Sequence, residues 1–192
     1  MQELSLNILD IAENSVSAGA TRLEIELRYA FGVENRLTVT IRDNGHGMSE
    51  ETAQRVADPF YTTRTTRKVG LGTAFFKLAA ELTGGSFSVE SKLGEGTVVT
   101  AILDPTHLDA VPLGDLAATC AALVQTSPEM ELCLTVGRED TGAAFTADTA
   151  QFREILGEIP LDSPEVLRFL SDFIRENLAE LLAGSPLEGT AD

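Results

Sequence analysis

The sequence is poor in the residues that metal and disulfide sites commonly need. It has two cysteines, Cys120 and Cys133, two histidines, His46 and His107, and no tryptophan. Two cysteines are too few for a disulfide framework and lack the spacing of a zinc site, so we expect them to be small buried apolar groups. The two isolated histidines exclude a histidine-rich metal centre.

Long apolar runs are also missing. No stretch reaches the roughly 18 apolar residues that a membrane-spanning helix needs. The start of the chain, MQELSLNILD, lacks the basic residues and apolar core of a signal peptide. The composition, 43% apolar and 23% charged, is typical of a globular chain. We therefore expect a soluble protein of the cytoplasm.

Positive charge is scarce. Fourteen lysines and arginines stand against 30 acidic residues, which gives a net charge of −16. Residues 105–192 hold 16 of the acidic residues but only 4 of the basic ones. So acidic a half repels phosphate backbones and anionic lipids, and we expect neither nucleic acid nor a membrane as a partner. The change in composition predicts a boundary between residues 1–104 and residues 105–192.

Hydrophobic periodicity predicts an α+β fold for the first part. Residues 2–17 have the spacing of an amphipathic helix, which Gly19 ends. Alternating segments predict two hairpins, within residues 23–41 and 86–103. Between the hairpins, we expect a short helix near residues 50–57 and a longer one from about residue 72 to residue 83. This order predicts a two-layer sandwich, a mixed sheet with helices on one face.

The same kind of pattern returns more weakly after residue 104. A helical segment at residues 113–124 precedes two short strands around the turn at residues 137–142. Ser163-Pro164-Glu165 is a strong helix start. We therefore expect a smaller C-terminal α/β region, and its role is open.

Strand parity singles out Asp43. The apolar residues Leu37, Val39 and Ile41 point to one face, and Asp43 continues that parity at the end of the strand. Its carboxylate should therefore face inward, where it needs hydrogen-bond donors. The segment Asn44-Gly45-His46-Gly47-Met48 that follows allows a tight turn and the close approach of a flat ligand. Taken alone, this segment is more typical of an ordinary turn.

A polar stripe runs along the first helix. Asn7, Asp10 and Asn14 are three and four positions apart and so share one face. Asp10 and Asn14 both offer oxygen atoms, which could hold hydrated magnesium and polarise a water molecule. The alternative is the solvent side of an amphipathic helix, which the stripe alone favours.

A third segment, Gly70-Leu71-Gly72-Thr73, opens a helix directly after Arg64, Arg67 and Lys68. The free N–H groups of a helix N-terminus bind phosphate, and nearby cations add to that attraction. A glycine before a helix is also a common cap. The sequence GEGT at residues 94–97 would alone predict no more than a hairpin turn.

The order and spacing of these segments resemble the boxes of the GHKL ATPases. This superfamily includes gyrase B, the ninety-kilodalton heat-shock chaperone, histidine kinases and mismatch-repair ATPases. The sequence ENSVSAGAT resembles the N box of the mismatch-repair branch, and DPFYTTR resembles the phenylalanine box of histidine kinases. The sequences DNGHGM, GLGT and GEGT resemble the three glycine boxes. The resemblance covers roughly residues 1–104 and implies the Bergerat-type ATP-binding fold.

The resemblance also implies roles for individual residues. Asp43 would accept a hydrogen bond from the adenine amino group, and Gly45 and Gly47 would let the ring approach. Asp10 and Asn14 would be the catalytic residues, with Asn14 as the ligand of Mg²⁺. The segment from Asp58 to Val69 would be a lid, mobile without nucleotide and ordered by ATP. The other expected nucleotide contacts are Met48, Phe60, Thr63, Arg64, Lys68, Gly70, Leu71, Gly72, Thr73 and Thr97.

Three departures from the family pattern bear on activity. Lys68 stands where the second glycine box usually begins with another glycine, which affects the lid and the phosphate geometry. Asp10 replaces the glutamate of the hydrolysing branches, and its shorter side chain weakens the case for efficient water activation. We expect no histidine-bearing dimerisation helix before the ATPase region, and neither His46 nor His107 resembles a phosphoacceptor.

Three functions stay open on the sequence alone. The first is a stand-alone kinase that uses Mg-ATP to phosphorylate a partner protein, which the C-terminal region docks. The second is an ATP-dependent conformational switch or slow ATPase that controls a protein interface without phosphotransfer. The third is an interaction module whose nucleotide site has decayed, against which Asp43, Asn14 and the glycines argue. A homodimer is an open alternative to a monomer.

Overall fold

The computed structural model describes residues 3–56 and 71–188. These two ranges contain six helices and six strands. In chain order they are α1 Leu4–Ser17, β1 Arg22–Ala30, β2 Arg36–Asp43, α2 Glu50–Arg55, α3 Leu71–Leu82, β3 Ser86–Lys92, β4 Gly96–Leu103, α4 Leu116–Thr126, β5 Glu131–Arg138, β6 Ala144–Asp148, α5 Thr149–Leu156 and α6 Pro164–Leu182.

The strands of the described ranges form one six-stranded sheet in the order β3-β4-β2-β1-β5-β6. Strands β1 and β5 pair in parallel, whereas the other neighbouring strands pair antiparallel. The sheet is therefore mixed, and the α+β fold class predicted from the sequence is confirmed.

The alternation of buried and less buried residues along a strand shows which face of the sheet the helices cover. In β1, Leu23, Ile25 and Leu27 are buried, and Glu24 and Glu26 between them are not. The apolar face packs in one core with side chains from α1, α3, α4 and α6. A helix layer on one face of the sheet, as predicted, accounts for this period of two.

The C-terminal strands extend the sheet of the N-terminal part. The predicted hairpin forms as β5 and β6, and β5 pairs along the whole of β1 up to Tyr29 and Arg138. At the start of this pair, the Arg22 guanidinium donates hydrogen bonds to Glu24 and to Glu131 across the strands. The expected boundary after residue 104 falls between β4 and α4, and both the sheet and the core run across it. The division into residues 1–104 and 105–192 stays a prediction.

Helix α5 was not anticipated from the sequence. It begins directly after β6, where the Asp148 carboxylate accepts a 2.9 Å hydrogen bond from the N–H of Ala150. With eight residues, it is too short for a clear helical period. The predicted start of α6 is confirmed, with Ser163 as N-cap residue and Pro164 at the first helical position.

The expectation that both cysteines are buried is right for Cys120 and wrong for Cys133. Cys120 lies in the core, where burial raises the pKa of its thiol to about 12. Cys133 is half-buried because strand parity puts it on the face opposite to Leu132 and Leu134, away from the core.

Among residues 3–56 and 71–188, the structure contains no helix whose length and hydrophobicity would let it cross a membrane.

Candidate functional site

The Asp43 carboxylate is held between α1 and the loop that follows β2. Its Oδ2 accepts a 2.7 Å hydrogen bond from the hydroxyl of Ser15. Its Oδ1 accepts a 2.9 Å hydrogen bond from the backbone N–H of Gly45. Ser15 is 2% exposed, whereas Asp43 is half-buried and borders a cavity. Both oxygens are thus fixed while the carboxylate stays accessible to a ligand.

A cavity of about 540 Å³ lies beside this carboxylate. Such a volume is typical of small-molecule sites, which combine an apolar lining with a few polar groups. The apolar side chains around it are Ile11, Ala18, Met48, Val56, Val89, Leu93 and Val99, and the polar ones are Asn14, Ser15, Ser17, Asp43, His46, Ser49, Thr52, Thr73 and Thr97.

The glycines of this site are required by close backbone contacts within the protein itself. Gly47 has a φ of +64°, and a Cβ atom there would lie 2.0 Å from the carbonyl oxygen of Lys92. A Cβ atom at Gly45 would lie 2.9 Å from Cβ of Ala18, at the end of α1. Gly96, with a φ of +112°, leaves no room for a Cβ atom beside the Asp43 carbonyl. The loop after β2 is therefore packed tightly against both α1 and the β3–β4 hairpin.

Asn44 fixes the other side of the same loop. Its Oδ1 atom accepts 2.9 Å hydrogen bonds from the backbone N–H groups of Thr21 and Arg22. Its Nδ2 atom donates to the hydroxyl of Thr21 at 2.9 Å. The Asn-Gly pair thus anchors the loop to the start of β1, which an unattached surface turn would not require.

Ser91 links the loop after β2 to the sequence GEGT at residues 94–97. Its hydroxyl accepts a 2.8 Å hydrogen bond from the N–H of Met48. The same hydroxyl lies 2.9 Å from the hydroxyl of Thr97 and 2.9 Å from the carbonyl oxygen of Gly96. Met48 and Thr97, both expected to contact the nucleotide, are therefore brought together at the cavity.

Sequence reasoning missed Ser15 and Ser91 as site residues. Ser15 stands four positions after Ile11 on the buried face of α1, and a polar residue on an apolar face is a usable signal. Ser91 shares strand parity with Phe87 and Val89, which is the same kind of signal. Neither residue stood out in the sequence, because serine is small and occurs on both buried and exposed faces of helices and strands.

The polar stripe on α1 is only partly exposed. Asp10 and Asn14 are exposed, but Asn7 is 1% exposed, so the alternative of a stripe that faces solvent is wrong at Asn7. The N-terminal half of α1 is covered by the C-terminal part of the chain, since the N–H groups of Leu4 and Ser5 donate to the carbonyls of Pro112 and Leu113. Asn14 borders the cavity, as the magnesium prediction requires.

The structure brings Asp10 of α1 close to Gly72 in the first turn of α3. A Cβ atom at Gly72 would lie 2.3 Å from Cβ of Asp10 and 2.6 Å from its Oδ2. Only a glycine allows the first turn of α3 to approach α1 so closely. Thr73, the next residue, is 5% exposed and also borders the cavity. The N-terminus of α3, whose first residue is Leu71, thus lies against the helix that carries Asp10 and Asn14.

The donor set fits a magnesium ion shared with phosphates. In the described part of the chain, three or more His, Cys, Asp or Glu side chains nowhere come together in a way that would hold a metal by themselves. Magnesium at phosphate sites usually takes one or two protein oxygens and completes its shell with phosphate and water. The amide oxygen of Asn14 and the carboxylate of Asp10 match that requirement in type and number.

Several expected site residues lie outside the described ranges. These are Phe60, Thr63, Arg64, Lys68 and Gly70, together with the rest of the expected lid from Asp58 to Val69. Their roles stay predictions.

The first part of the chain is similar to known proteins. Residues 1–107 match the family described as histidine kinase-, DNA gyrase B- and HSP90-like ATPase. The sensor histidine kinase AruS of Pseudomonas aeruginosa is 30% identical over 102 residues, 50% of this chain and 10% of that protein. The sensor histidine kinase YcbM of Bacillus subtilis is 33% identical over 99 residues, 49% of this chain and 32% of that protein.

A solved N-terminal domain of a DNA repair protein is similar over 76% of this chain and 52% of that one, with 15% identity and a TM-score of 0.49. The chain spans a third or less of the length of the sensor kinases that it resembles. The family match covers more than half of the chain and confirms the resemblance drawn from its motifs. The chain therefore belongs to the family of histidine kinase-, DNA gyrase B- and HSP90-like ATPases and contains a histidine-kinase-like ATP-binding domain.

Proposed function

We propose that this chain binds Mg-ATP in the cavity beside Asp43 and transfers the γ-phosphoryl group to a residue of a partner protein. The observation that carries the proposal is the Asp43 carboxylate, fixed by Ser15 and Gly45 at the wall of a cavity lined by both apolar and polar side chains. The kinship with sensor histidine kinases supports transfer as the reaction.

The base of the nucleotide occupies the Asp43 end of the cavity. Each carboxylate oxygen of Asp43 already accepts one hydrogen bond and keeps a lone pair for a further donor. Adenine offers its exocyclic amino group to that lone pair, whereas guanine presents a carbonyl oxygen at the corresponding position and would be repelled. The apolar side chains of Met48, Val89 and Val99 enclose the ring.

The triphosphate occupies the end of the cavity where α1 meets the N-terminus of α3. Backbone N–H groups of that first turn and the helix dipole favour a phosphate there. Asn14 would hold the magnesium ion through its amide oxygen, with Asp10 beside it. The ion, when bound, supplies positive charge against the phosphate oxygens.

The acceptor of the phosphoryl group comes from another protein in this proposal. Phosphoryl transfer is catalysed mainly by positioning and electrostatic stabilisation, so the acceptor must be aligned with the γ-phosphate. His46 borders the cavity, but its Nδ1 atom lies 2.6 Å from the carbonyl oxygen of Gly47 and is engaged in that contact. Phosphorylation of His46 at Nδ1 would break this contact, whereas an acceptor on a partner protein leaves it in place.

One observation favours a second function, an ATP-dependent switch. Helix α1, which carries Asp10, Asn14 and Ser15, is bonded to the C-terminal part of the chain at its other end. There, the Leu4 N–H donates to Pro112 at 2.9 Å and the Ser5 N–H donates to Leu113 at 2.8 Å. A nucleotide that shifts α1 would therefore change the surface near α4 without any transfer of phosphate.

The two functions are distinguished by the fate of the γ-phosphate. The full chain is incubated with magnesium, γ-labelled ATP and a lysate of its source organism, and an Asp43→Asn variant serves as the control. Label on one protein band that the variant fails to produce supports the kinase. Release of free phosphate with no labelled band supports the switch. Absence of ATP binding in calorimetry contradicts both.

A further inference from the structure

A cluster of phenylalanines connects the C-terminal core to the surface. Phe145 and Phe173 lie 6.1 Å apart between ring centroids, and Phe173 lies 6.2 Å from Phe169. Phe152 contacts both Phe169 and Phe173, at 6.0 and 6.3 Å. Phe145 is buried, but Phe169 is 58% exposed. The cluster thus begins in the core and ends with an aromatic ring in water.

Two further apolar side chains enlarge this exposed area. Ile155 is 81% exposed and lies one helical turn after Phe152 on α5. Ile159 is 53% exposed, and its N–H donates to the carbonyl of Leu156 in the turn that follows α5. We name the area formed by Phe152, Ile155, Ile159 and Phe169 the α5–α6 patch. Such a group of large apolar side chains differs from the single exposed residues that any soluble surface has.

Carboxylates border the α5–α6 patch on α6. At helical spacing, Glu165 and Asp172 lie one turn before and one turn after Phe169, and Glu176 and Glu180 continue the same exposed row. A solvated acidic helix face explains this row by itself. It does not explain why an exposed phenylalanine stands in the middle of the row.

Acidic side chains also lie beside the apolar residues on α5 and in the turn after it. Glu154 directly precedes Ile155 on α5, and Glu158 directly precedes Ile159 in that turn. Residues 149–180, which include the whole row, hold seven acidic and three basic residues. Arg153 is half-buried and its guanidinium donates to the carbonyl of Pro128, and Arg168 lies exposed on one flank of the acidic row. The third cation, Arg175, lies 3.9 Å from Asp172 and donates to Asp115. The rim as a whole is therefore negative.

We propose that the α5–α6 patch docks an amphipathic segment of a partner protein, with large apolar side chains at its centre and lysine or arginine residues around them. Burial of the phenylalanine and isoleucine side chains supplies the attraction. The carboxylate rim selects for cations and repels acidic surfaces. A second copy of this chain is disfavoured as the occupant because its own patch carries the same negative rim.

The patch is separate from the nucleotide cavity. Of the described residues, those that border the cavity belong to α1, β2, β3, β4, α2, the first turn of α3 and the loops between them, and none lies on α5 or α6. Docking at the patch can therefore be measured without nucleotide. A failure of docking would leave the proposed ATP chemistry untouched.

The probe for the test is a labelled synthetic peptide of about 18 residues, long enough to form an isolated helix. It has leucines along one helical face and lysines elsewhere. Two comparison peptides have glutamate in place of lysine, or the same leucines and lysines in scrambled order. Binding to the full chain is followed by fluorescence anisotropy at about 0.15 M salt. We expect the leucine–lysine helix to bind, and the other two to bind at least about tenfold more weakly.

Variants then locate the binding. Phe169→Gln with Ile155→Gln removes the apolar centre, and Glu165→Gln with Asp172→Asn removes part of the rim; each pair should weaken binding about tenfold. Matched controls elsewhere are Leu78→Gln, an exposed leucine on α3, and Glu34→Gln with Glu90→Gln, two exposed carboxylates. The controls should stay within about twofold of the unmodified chain. Circular dichroism and thermal unfolding verify that each variant is folded.

Three results would overturn the docking proposal. The first is absence of binding by the leucine–lysine peptide. The second is equal binding of the scrambled peptide, which would indicate attraction to overall negative charge. The third is a loss of affinity in the control variants as large as the loss in the patch variants, which would place the contact elsewhere on the chain.

Discussion

The hydroxyl of Ser15 donates a 2.7 Å hydrogen bond to Oδ2 of Asp43 and so joins α1 to the end of β2. Ser15 is 2% exposed, and water cannot readily replace it in this bond. The orientation of the carboxylate is therefore set before a ligand arrives. Such preorganisation lowers the cost of binding, because the ligand does not have to order the group that recognises it.

The first prediction concerns this bond. Ser15→Ala should weaken ATP binding by about 1–1.5 kcal/mol, the usual contribution of one hydrogen bond, with little change in the melting temperature. Calorimetry measures the affinity, and Ser171→Ala, which removes a helix serine bonded to the Leu167 carbonyl on α6, is the control. In an Asp43→Asn background the Ser15→Ala change should have a smaller effect. Strict additivity of the two changes would show that Ser15 does not act through Asp43.

The second prediction concerns base selectivity. Asp43→Asn keeps an acceptor oxygen but loses the negative charge, and it should weaken ATP binding by roughly 1.5–3 kcal/mol, the range for hydrogen bonds to charged groups. The unmodified chain should bind ATP more tightly than GTP in the same calorimetric assay. Equal affinities for the two nucleotides would contradict the assignment of Asp43 to the adenine amino group.

The third prediction concerns magnesium. Asn14 is exposed at the edge of the cavity, so Asn14→Ala should leave the fold intact. It should also remove the increase in ATP affinity that magnesium produces, because one of the few protein oxygens for the ion is lost. Asn177→Ala on α6, whose amide donates to the Phe173 carbonyl, is the matched control. If magnesium raises the ATP affinity of Asn14→Ala as much as that of the unmodified chain, Asn14 is not a ligand of the ion, and the exposed part of the α1 stripe is only a solvated surface.

The fourth prediction concerns the contact between α3 and α1. In Gly72→Ala the new methyl group would overlap Asp10, so the two helices must separate, at a cost of about 1–3 kcal/mol of unfolding free energy. Gly32→Ala is the control, because no atom lies within 4 Å of a Cβ atom there. Urea unfolding should show a clear loss for Gly72→Ala and about 0.5 kcal/mol or less for Gly32→Ala. Equal midpoints for the two variants would contradict the close approach of the helices.

The fifth prediction concerns pH. Burial alone would raise the pKa of Asp115, but the hydrogen bond from the Ala118 N–H and the nearby Arg175 guanidinium lower it overall. A carboxyl whose pKa is depressed by folding stabilises the fold above its unfolded pKa, near 3.9, and loses that contribution as the pH falls through the folded pKa. Asp115→Ala should therefore cost about 1 kcal/mol at neutral pH.

This cost should shrink as the pH falls below about 4, because Asp115 of the unmodified chain is then protonated and no longer contributes its negative charge. Urea unfolding of both proteins at several pH values measures the difference. A difference that is constant from neutral to acidic pH would show that the carboxylate charge does not stabilise α4.

Local pattern was sufficient to predict most elements of the first part. The period of two in β1 and β2 fixed both the hairpin and the inward side of Asp43, because one buried face requires that alternation. The end of α1 at Gly19 was predictable because glycine readily adopts the positive φ that often ends a helix. The φ of Gly19 is +72°. The inward side of Asp43 could therefore be predicted before any contact was known, whereas its role in binding was implied only by the resemblance to the GHKL ATPases.

Long-range pairing could not be predicted in the same way. The apolar residues of β5 indicate a buried strand, but nothing in their spacing names β1 as its partner. Asn7 lies on the polar stripe of α1, which taken alone favoured a solvent-facing surface, yet its side chain is 1% exposed. Both outcomes depend on distant parts of the chain, which a local pattern does not describe.

The parallel pairing of β1 with β5 has a consequence for the order in which the chain is made. Arg22 and Glu131, which face each other at the start of this pair, are 109 residues apart in the chain. During synthesis, β1 therefore leaves the ribosome with an open edge long before its neighbour exists, and such edges promote unwanted association. We expect nascent chains that stop after β4 to need protection by chaperones, and chains extended through β5 and α6 to need much less.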